Sequence, residues 1–289
     1  MSTVVVLASE SGWHTDELVR AIRARGLVPL LVPWEATVSR LGAEPGASNS
    51  GFPLRDARAI LPRIIPAGTL EQIIYRVDTL HWLEEVDGLR VMNSARAIER
   101  TVDKSWTSAI LESAGLPTPD TIVCERAEDA FAAFRAMGDV VIKPLFGSMG
   151  LGMVRVSDED TAWRVIRAIE SIRGIYYLQR FIPHEGRDVR AFVVGDRVLG
   201  AMERRSDGWR TNFSRGGRVA AVTLPPAWAD LALRAAHAVG AEYAGVDLLP
   251  AKDGTVYVLE VNGIPGWEGL QKVTNVDVAG AVVDQLLAR

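Results

Sequence analysis

Apolar residues at positions 4–8 form a run short enough for a buried strand; a Ser/Gly stretch follows, and helical spacing over residues 15–24 stops at Gly26. Residues 28–32 read as the next strand. This β-loop-α-β opening predicts a parallel sheet, and ligand crevices of such sheets lie at the C-terminal strand ends. Ser9 to His14 therefore stand at a binding edge, or form a plain connection. Residues 40–55, with Gly42, Pro45, Gly46, Gly51 and Pro53, predict a loop before a strand over 59–65. One helix is expected over 101–115, ending at Gly115, and the proline-stiffened LPTPDT link then marks a lobe boundary before strand 121–124. A helix over 127–137, a strand over 140–143, a glycine-rich turn and a strand over 153–156 follow, then a helix opening at Ser157 with Asp160 in capping-box position. Strand patterns recur at 176–179, 189–194, 198–202, 244–249 and 255–261, with helices over 228–239 and 276–288.

Composition narrows the class of protein. The 289 residues are 48% hydrophobic and 24% charged, which is ordinary for a globular chain with a sizeable core and excludes a disordered tail. A formal charge of -4 gives no electrostatic reason to expect nucleic acid or an anionic membrane as partner. One cysteine, Cys124, excludes an internal disulfide framework and any multi-cysteine metal site, and fits a reducing compartment. The N-terminus lacks a signal-peptide pattern and no apolar run reaches membrane-spanning length, so a cytoplasmic protein is expected.

Two stretches carry chemistry. In Lys143-Pro-Leu-Phe-Gly147-Ser148-Met-Gly150-Leu-Gly152, a strand delivers a lysine into a glycine loop whose backbone N–H groups can approach phosphate closely. It is neither a Walker A loop nor a dinucleotide fingerprint, because a strand pattern follows where those need a helix; an ordinary glycine hairpin is the alternative. In the second, Asp247 stands on one strand, with Glu260 and Asn262 two apart on the next, so hairpin pairing brings three oxygen donors to one face. That set suits Mg2+ or Mn2+ better than zinc. Their apolar flanks argue against merely exposed polar residues, since unpaired buried acids are costly. Between the two stretches lie Arg187, Arg190, Arg204, Arg205, Arg210 and Arg215, of which Arg190 and Arg210 have the settings expected of anion clamps.

In their order and spacing these residues resemble the ATP-grasp superfamily, and within it the RimK-like α-L-glutamate ligases. The carriers are Asn93-Ser-Ala-Arg-Ala-Ile98, Asp103-Lys104, Ala114-Gly-Leu-Pro-Thr-Pro119, Lys143-Pro-Leu-Phe-Gly-Ser148, Gly186-Arg-Asp-Val-Arg190, Asn212 with Arg215-Gly-Gly217, and Glu260-Val-Asn262 with Pro265-Gly266. The resemblance implies an α/β protein with α+β lobes: a Rossmann-like preATP-grasp domain over 1–95, a central lid over 96–178 and a C-terminal lobe with the metal site over 179–289. It further implies that Lys104 and Lys143 touch ATP phosphates beside the loop residues Gly147, Ser148 and Gly150. Gln179, Arg180, Phe181 and Ile182 would form the adenine hinge, and Asp188 and Asn212 would lie near the nucleotide. Asp247, Glu260 and Asn262 would hold two divalent ions, Mg2+ or Mn2+, while Arg190, Arg204 or Arg210 would steady the transferred phosphoryl group.

The implied reaction is attack of a carboxylate on the γ-phosphate of ATP, followed by capture of the acylphosphate by an amine, with L-glutamate the expected amino acid. No protein nucleophile is needed, in keeping with Cys124 and four scattered histidines read as structural. A small-molecule, pterin, furan or F420-like cofactor, or a peptide, is the expected carboxylate acceptor. Glutamylation of a protein C-terminus such as a ribosomal tail, a small-molecule kinase and a non-catalytic nucleotide-binding module are the alternatives, and homo-oligomerisation is left open. Gly68 to Tyr75 and Gly266 to Val273 depart from the familiar ribosomal-protein-modifying members and stand as candidate acceptor contacts; for Trp267 a core role is the alternative.

Overall fold

The chain opens with β1 (Thr3–Leu7), α1 (Trp13–Arg23) and β2 (Val28–Val32). The computed structural model describes residues 2–42, 44–147, 150–211 and 218–288. β1 and β2 pair in parallel as expected, and Val4 to Leu7 are buried throughout, which a strand covered on both faces requires.

The loop expected over 40–55 is instead a small antiparallel sheet of β3 (Thr37–Arg40), β4 (Gly46–Asn49) and β5 (Phe52–Pro53). Strands of two to four residues are too short to show a period. This sheet is pinned by the buried Asn49, whose Nδ2 donates to the Pro33 carbonyl at 2.7 Å and the Thr37 hydroxyl at 2.9 Å. The chain then returns to the first sheet as β6 (Ala59–Pro62), on the other flank of β1, giving the order β2-β1-β6. α2 (Leu70–Glu85) follows, opened by a Thr69–Gln72 capping box. Gly68 to Tyr75 is thus the entry to a helix with its own cap, a role its irregular apolar spacing conceals, because Leu70, Ile74 and Tyr75 stay exposed while Val77, Leu80 and Leu83 are buried.

The helix expected over 101–115 is two, α3 (Ala95–Val102) and α4 (Lys104–Ser113). Asp103 between them is extended, and its carboxylate accepts from the backbone N–H groups of Ser105 and Trp106. It ends one helix and caps the next. β7 (Thr121–Cys124), α5 (Ala127–Met137), β8 (Val140–Lys143), β9 (Val154–Val156), α6 (Glu159–Ser171) and β10 (Tyr176–Arg180) build a second, antiparallel sheet of order β7-β10-β8-β9. α6 is capped by Asp158, which accepts from the Thr161 N–H, so the box expected at Ser157 and Asp160 is displaced by one residue.

The last part holds β11 (Arg187–Val194), β12 (Arg197–Arg205), β13 (Arg218–Ala221), α7 (Pro226–Val239), β14 (Tyr243–Pro250), β15 (Val256–Asn262), α8 (Glu268–Gln271) and α9 (Val278–Leu287). Its five strands run β13-β12-β11-β14-β15, all antiparallel. α7 covers one face through Ala232, Ala235, Ala236 and Val239. α9 packs instead on α1, so that Val278, Val282, Val283 and Leu286 share one apolar cluster with Val4, Val6, Leu18 and Ile22. Each such buried aliphatic side chain contributes about 1.5–3 kcal/mol. The two ends of the chain are therefore folded into one core. No helix among the described residues is long and apolar enough to cross a membrane.

Candidate active site

Residues two apart on a strand share a face, and the five-stranded sheet uses that rule to build a charge ladder. Asp188 and Arg190 both project from β11; in register, Asp188 faces Arg204 of β12, Arg190 faces Asp247 of β14, and Asp247 faces Glu260 of β15. Arg204 grips Asp188 with Nε and Nη2 at 2.7 and 2.6 Å and reaches Asp247 at 3.0 Å. Arg190 grips Asp247 with Nε and Nη2 at 2.6 and 2.7 Å, and the Thr211 hydroxyl donates to Asp188 at 2.6 Å. Burial alone would raise the Asp247 carboxyl, but Arg190 and Arg204 outweigh it and hold Asp247 at about 2. Burial opposes the Arg204 charge, and Asp247 and Asp188 reverse that, pushing it above the ordinary guanidinium range.

At the β15 edge the ladder ends in oxygen donors without protein partners. Glu260 makes no side-chain hydrogen bond or ion pair among the described residues. Asn262 donates Nδ2 to the Gly245 carbonyl at 3.3 Å, which leaves its Oδ1 as an acceptor. A bulge after Asp247 locally re-aims the β14–β15 pair. Among the described residues no three Asp, Glu, His or Cys side chains converge; a cation here would need the Asn262 amide oxygen as a third protein donor beside Glu260 and Asp247, whose two oxygens Arg190 and Arg204 already engage. Two carboxylates and an amide oxygen fit a hard divalent cation.

Both lysines named from the sequence feel Glu260. Lys143 at the end of β8 donates to Gln179 Oε1 at 2.5 Å, and Gln179 Nε2 in turn donates to the Thr121 hydroxyl at 3.0 Å and the Tyr177 oxygen at 3.2 Å. The Tyr177 hydroxyl lies 2.8 Å from that of Ser108. Burial pushes the Lys143 ammonium down to about 8, Lys104 adds to that, and Glu260 and Asp247 oppose it. Lys104 Nζ donates to the Gly147 carbonyl at 2.7 Å and the Leu145 carbonyl at 3.3 Å, so it fastens the glycine loop. Burial lowers Lys104, against Glu260. Gly147 has φ 136°, and a Cβ on Gly152 would meet Pro144 Cγ at 2.8 Å, so side chains at these two positions would deform the turn.

Arg180, one residue past Gln179, points to the opposite face and binds Asp120 at 2.9 Å rather than joining the lysines. The backbone N–H groups of Arg180 and Phe181 donate to the Asp120 and Asp139 carbonyls, so those two donors of the expected hinge are engaged within the protein. The Phe181 ring lies 3.5 Å beneath the Arg155 guanidinium, and Ile182 is buried next to it. Arg210 donates to the Met153 carbonyl at the far end of the glycine loop and stacks 4.7 Å over Trp209. Ser148 and Asn212 lie outside the described residues. The sequence reading gave no role to Thr121, Tyr177 and Ser108, although Tyr177 stands two residues from Gln179 and so shares its face. Nor did it give one to Asn93, whose buried amide binds the carbonyls of Tyr243 and Gly263 and the N–H groups of Glu242 and Tyr243.

The model of the RimK-like ATP-grasp domain matches residues 101–286. A tetrahydromethanopterin:alpha-L-glutamate ligase of Methanococcus maripaludis is 34% identical over 98% of this chain and 97% of its own length. A probable alpha-L-glutamate ligase of Rhodopirellula baltica is 32% identical over 100% of this chain and 71% of its own. Among solved structures, the ATP-grasp ligase PsnB complexed with a phosphomimetic variant of minimal precursor, Mg and ADP superposes with a TM-score of 0.78 at 24% identity, covering 99% of this chain and 98% of that one, and shares the fold.

Proposed function

This chain belongs to the RimK-like ATP-grasp family and is an ATP-dependent carboxylate–amine ligase; we propose that it joins L-glutamate to the carboxylate of a small cofactor-like acceptor. The observation that carries the site assignment is the convergence on Glu260: Asp247 beside it in register, Asn262 Oδ1 two residues on, and Lys104 and Lys143 both under its field. Asp247, Glu260 and Asn262 would hold Mg2+ or Mn2+, which when bound neutralises phosphate charge. Lys104 and Lys143 take phosphate oxygens, and Lys104 carries the glycine loop with it. Arg190, the more exposed of the two arginines on Asp247, faces the transferred group, whereas the buried Arg204 positions Asp188 and Asp247.

An acceptor carboxylate oxygen attacks the γ-phosphorus, the bond to the β-phosphate oxygen breaks, and ADP leaves. The amine then attacks the acyl carbon, phosphate departs, and an amide forms with loss of the amine proton. Protein groups supply charge and position in both steps and form no covalent bond. The three-lobe division at 95 and 178, with ATP between the last two lobes, and a cytoplasmic location belong to this proposal. A small acceptor is favoured by the likeness to the Methanococcus tetrahydromethanopterin:alpha-L-glutamate ligase and by a net charge of -4, which gives an acidic protein tail no overall electrostatic attraction. The test is ADP release with ATP, Mg2+ and L-glutamate against a panel of pterin and other cofactor carboxylates, with mass spectrometry of the products. Acceptor-dependent ADP release with a glutamylated product is expected; ADP formed at the same rate without any amine would sink the proposal.

A further inference from the structure

Arg63, His14, Tyr243 and Trp267 meet at a place the charge ladder does not use. Arg63 is the first residue beyond β6, and its N–H donates to the carbonyl of Leu7, the last residue of β1. β1 and β6 are the neighbours at which strand order reverses, and open parallel sheets bind ligands outside the strand ends at such a point. The Arg63 guanidinium lies 4.8 Å over the Trp267 ring, with Nη1 donating to the Pro265 carbonyl at 3.2 Å. Arg63 is only 4% exposed.

A buried guanidinium calls for a counter-charge. The other two arginines buried among the described residues have one: Arg204 has Asp188 and Asp247, and Arg76 has Glu35 at 4.0 Å. Arg63 has no carboxylate within 4.0 Å among the described residues. His14 does not substitute, since its Nε2 accepts from the Trp267 N–H at 3.0 Å and is therefore neutral; burial, then Arg63, push it down to about 4. Two further buried donors lack a well-formed hydrogen bond, the Trp267 indole N–H and the Tyr243 hydroxyl beside Arg63. A buried cation and two orphan donors, with no carboxylate within 4.0 Å of the cation among the described residues, are the complement of a carboxylate. Pro265, which accepts from Arg63, packs where a Cβ on Gly245 would meet it at 3.0 Å and Arg190 at 3.5 Å. Pro265 thus links Arg63 to the strand position beside Arg190, and the loop residues Ser9 to Gly12 and Ile64 are exposed.

We propose that Arg63 binds a substrate carboxylate that does not itself react, with Tyr243 and Trp267 as accompanying donors. The inference rests on the ligase reading, in which the incoming L-glutamate brings two such groups and a dicarboxylate acceptor brings one. The protein loaded with the non-hydrolysable analogue AMPPNP and Mg2+ is titrated calorimetrically with L-glutamate and, separately, with glutarate, in the wild type, Arg63→Lys and Arg63→Met. Binding of one ligand at least tenfold weaker in Arg63→Met and intermediate in Arg63→Lys, with AMPPNP affinity unchanged, is expected. A loss for L-glutamate places the anchor on the amine donor, and a loss confined to glutarate places it on the acceptor. Equal binding to wild type and Arg63→Met overturns the inference, as does a parallel loss of AMPPNP binding, which marks Arg63 as a purely structural contact. Failure of the wild type to bind either dicarboxylate also overturns it and leaves the ligase proposal to its own ADP assay.

Discussion

Replacing Arg204 with Met removes a guanidinium that is 3% exposed while keeping much of its volume. Asp188 then loses its two hydrogen bonds of 2.7 and 2.6 Å and keeps, among the described residues, Thr211; Asp247 loses the 3.0 Å contact and keeps Arg190. Breaking a buried pair by deleting one partner costs about 3–5 kcal/mol, because a charge stays behind unpaired. At roughly 2–4 °C per kcal/mol, the melting temperature should fall by roughly 6–20 °C at neutral pH. The loss should shrink on acidification, since protonating a carboxylate left buried without its partner removes the unpaired charge. Adding Asp188→Asn should recover part of the loss, with a coupling of about 2 kcal/mol or more between the two positions. Scanning calorimetry from pH 4 to 8 and ADP release on the same samples are the assays, with ADP release reduced at least tenfold. A melting temperature within about 2 °C of wild type, independent of pH, together with normal ADP release, would refute the claim that Arg204 holds the site together.

Lys143 sits at about 8 instead of 10.5; its lowered value means the unfolded chain binds more protons between those limits, so stability without nucleotide should rise by about 3 kcal/mol from pH 8 to 10.5. ATP affinity should move the opposite way, falling above pH 8 as the ammonium is lost, and Arg190→Ala should keep that pH profile while Lys143→Met abolishes it. His14, pushed down to about 4, should make the fold lose stability as pH drops from 6.5 towards 4, a slope that His14→Gln removes in acid-denaturation curves. A Cβ at Gly263 would drive into the Thr101 hydroxyl, so Gly263→Ala should cost about 1–3 kcal/mol by denaturant melting and be partly rescued by Thr101→Ala.

The spacing of Glu260 and Asn262 was enough to place them on one face, because side-chain direction in a strand has a period of two, and Asp247 joins them through the β14–β15 pairing. Local composition also marked Lys143 and its glycine loop, and the strand before it was readable because Val140, Val141 and Ile142 are all buried, which leaves little but Val, Ile and Leu. Local pattern fell short where a single polar side chain decides the backbone. Asp103 splits one helical run into two, Asp158 captures a helix start, and Asn49 holds together a sheet too short to show a period.

What only the tertiary structure decided is which distant residues share a charge. Nothing in the spacing of residues 188, 190, 204 and 247 says that Arg204 bridges two aspartates while Arg190 serves one; the order β12-β11-β14 does. Nor does any local signal join residues 14, 63, 243 and 267, which meet because β6 crosses to the far side of β1 and α9 closes the first core. Periodicity reports which side of an element faces apolar surroundings, so it finds strands, helices and their polar faces. The pairing of a buried charge depends on chain crossovers between remote segments, and only the folded molecule fixes those.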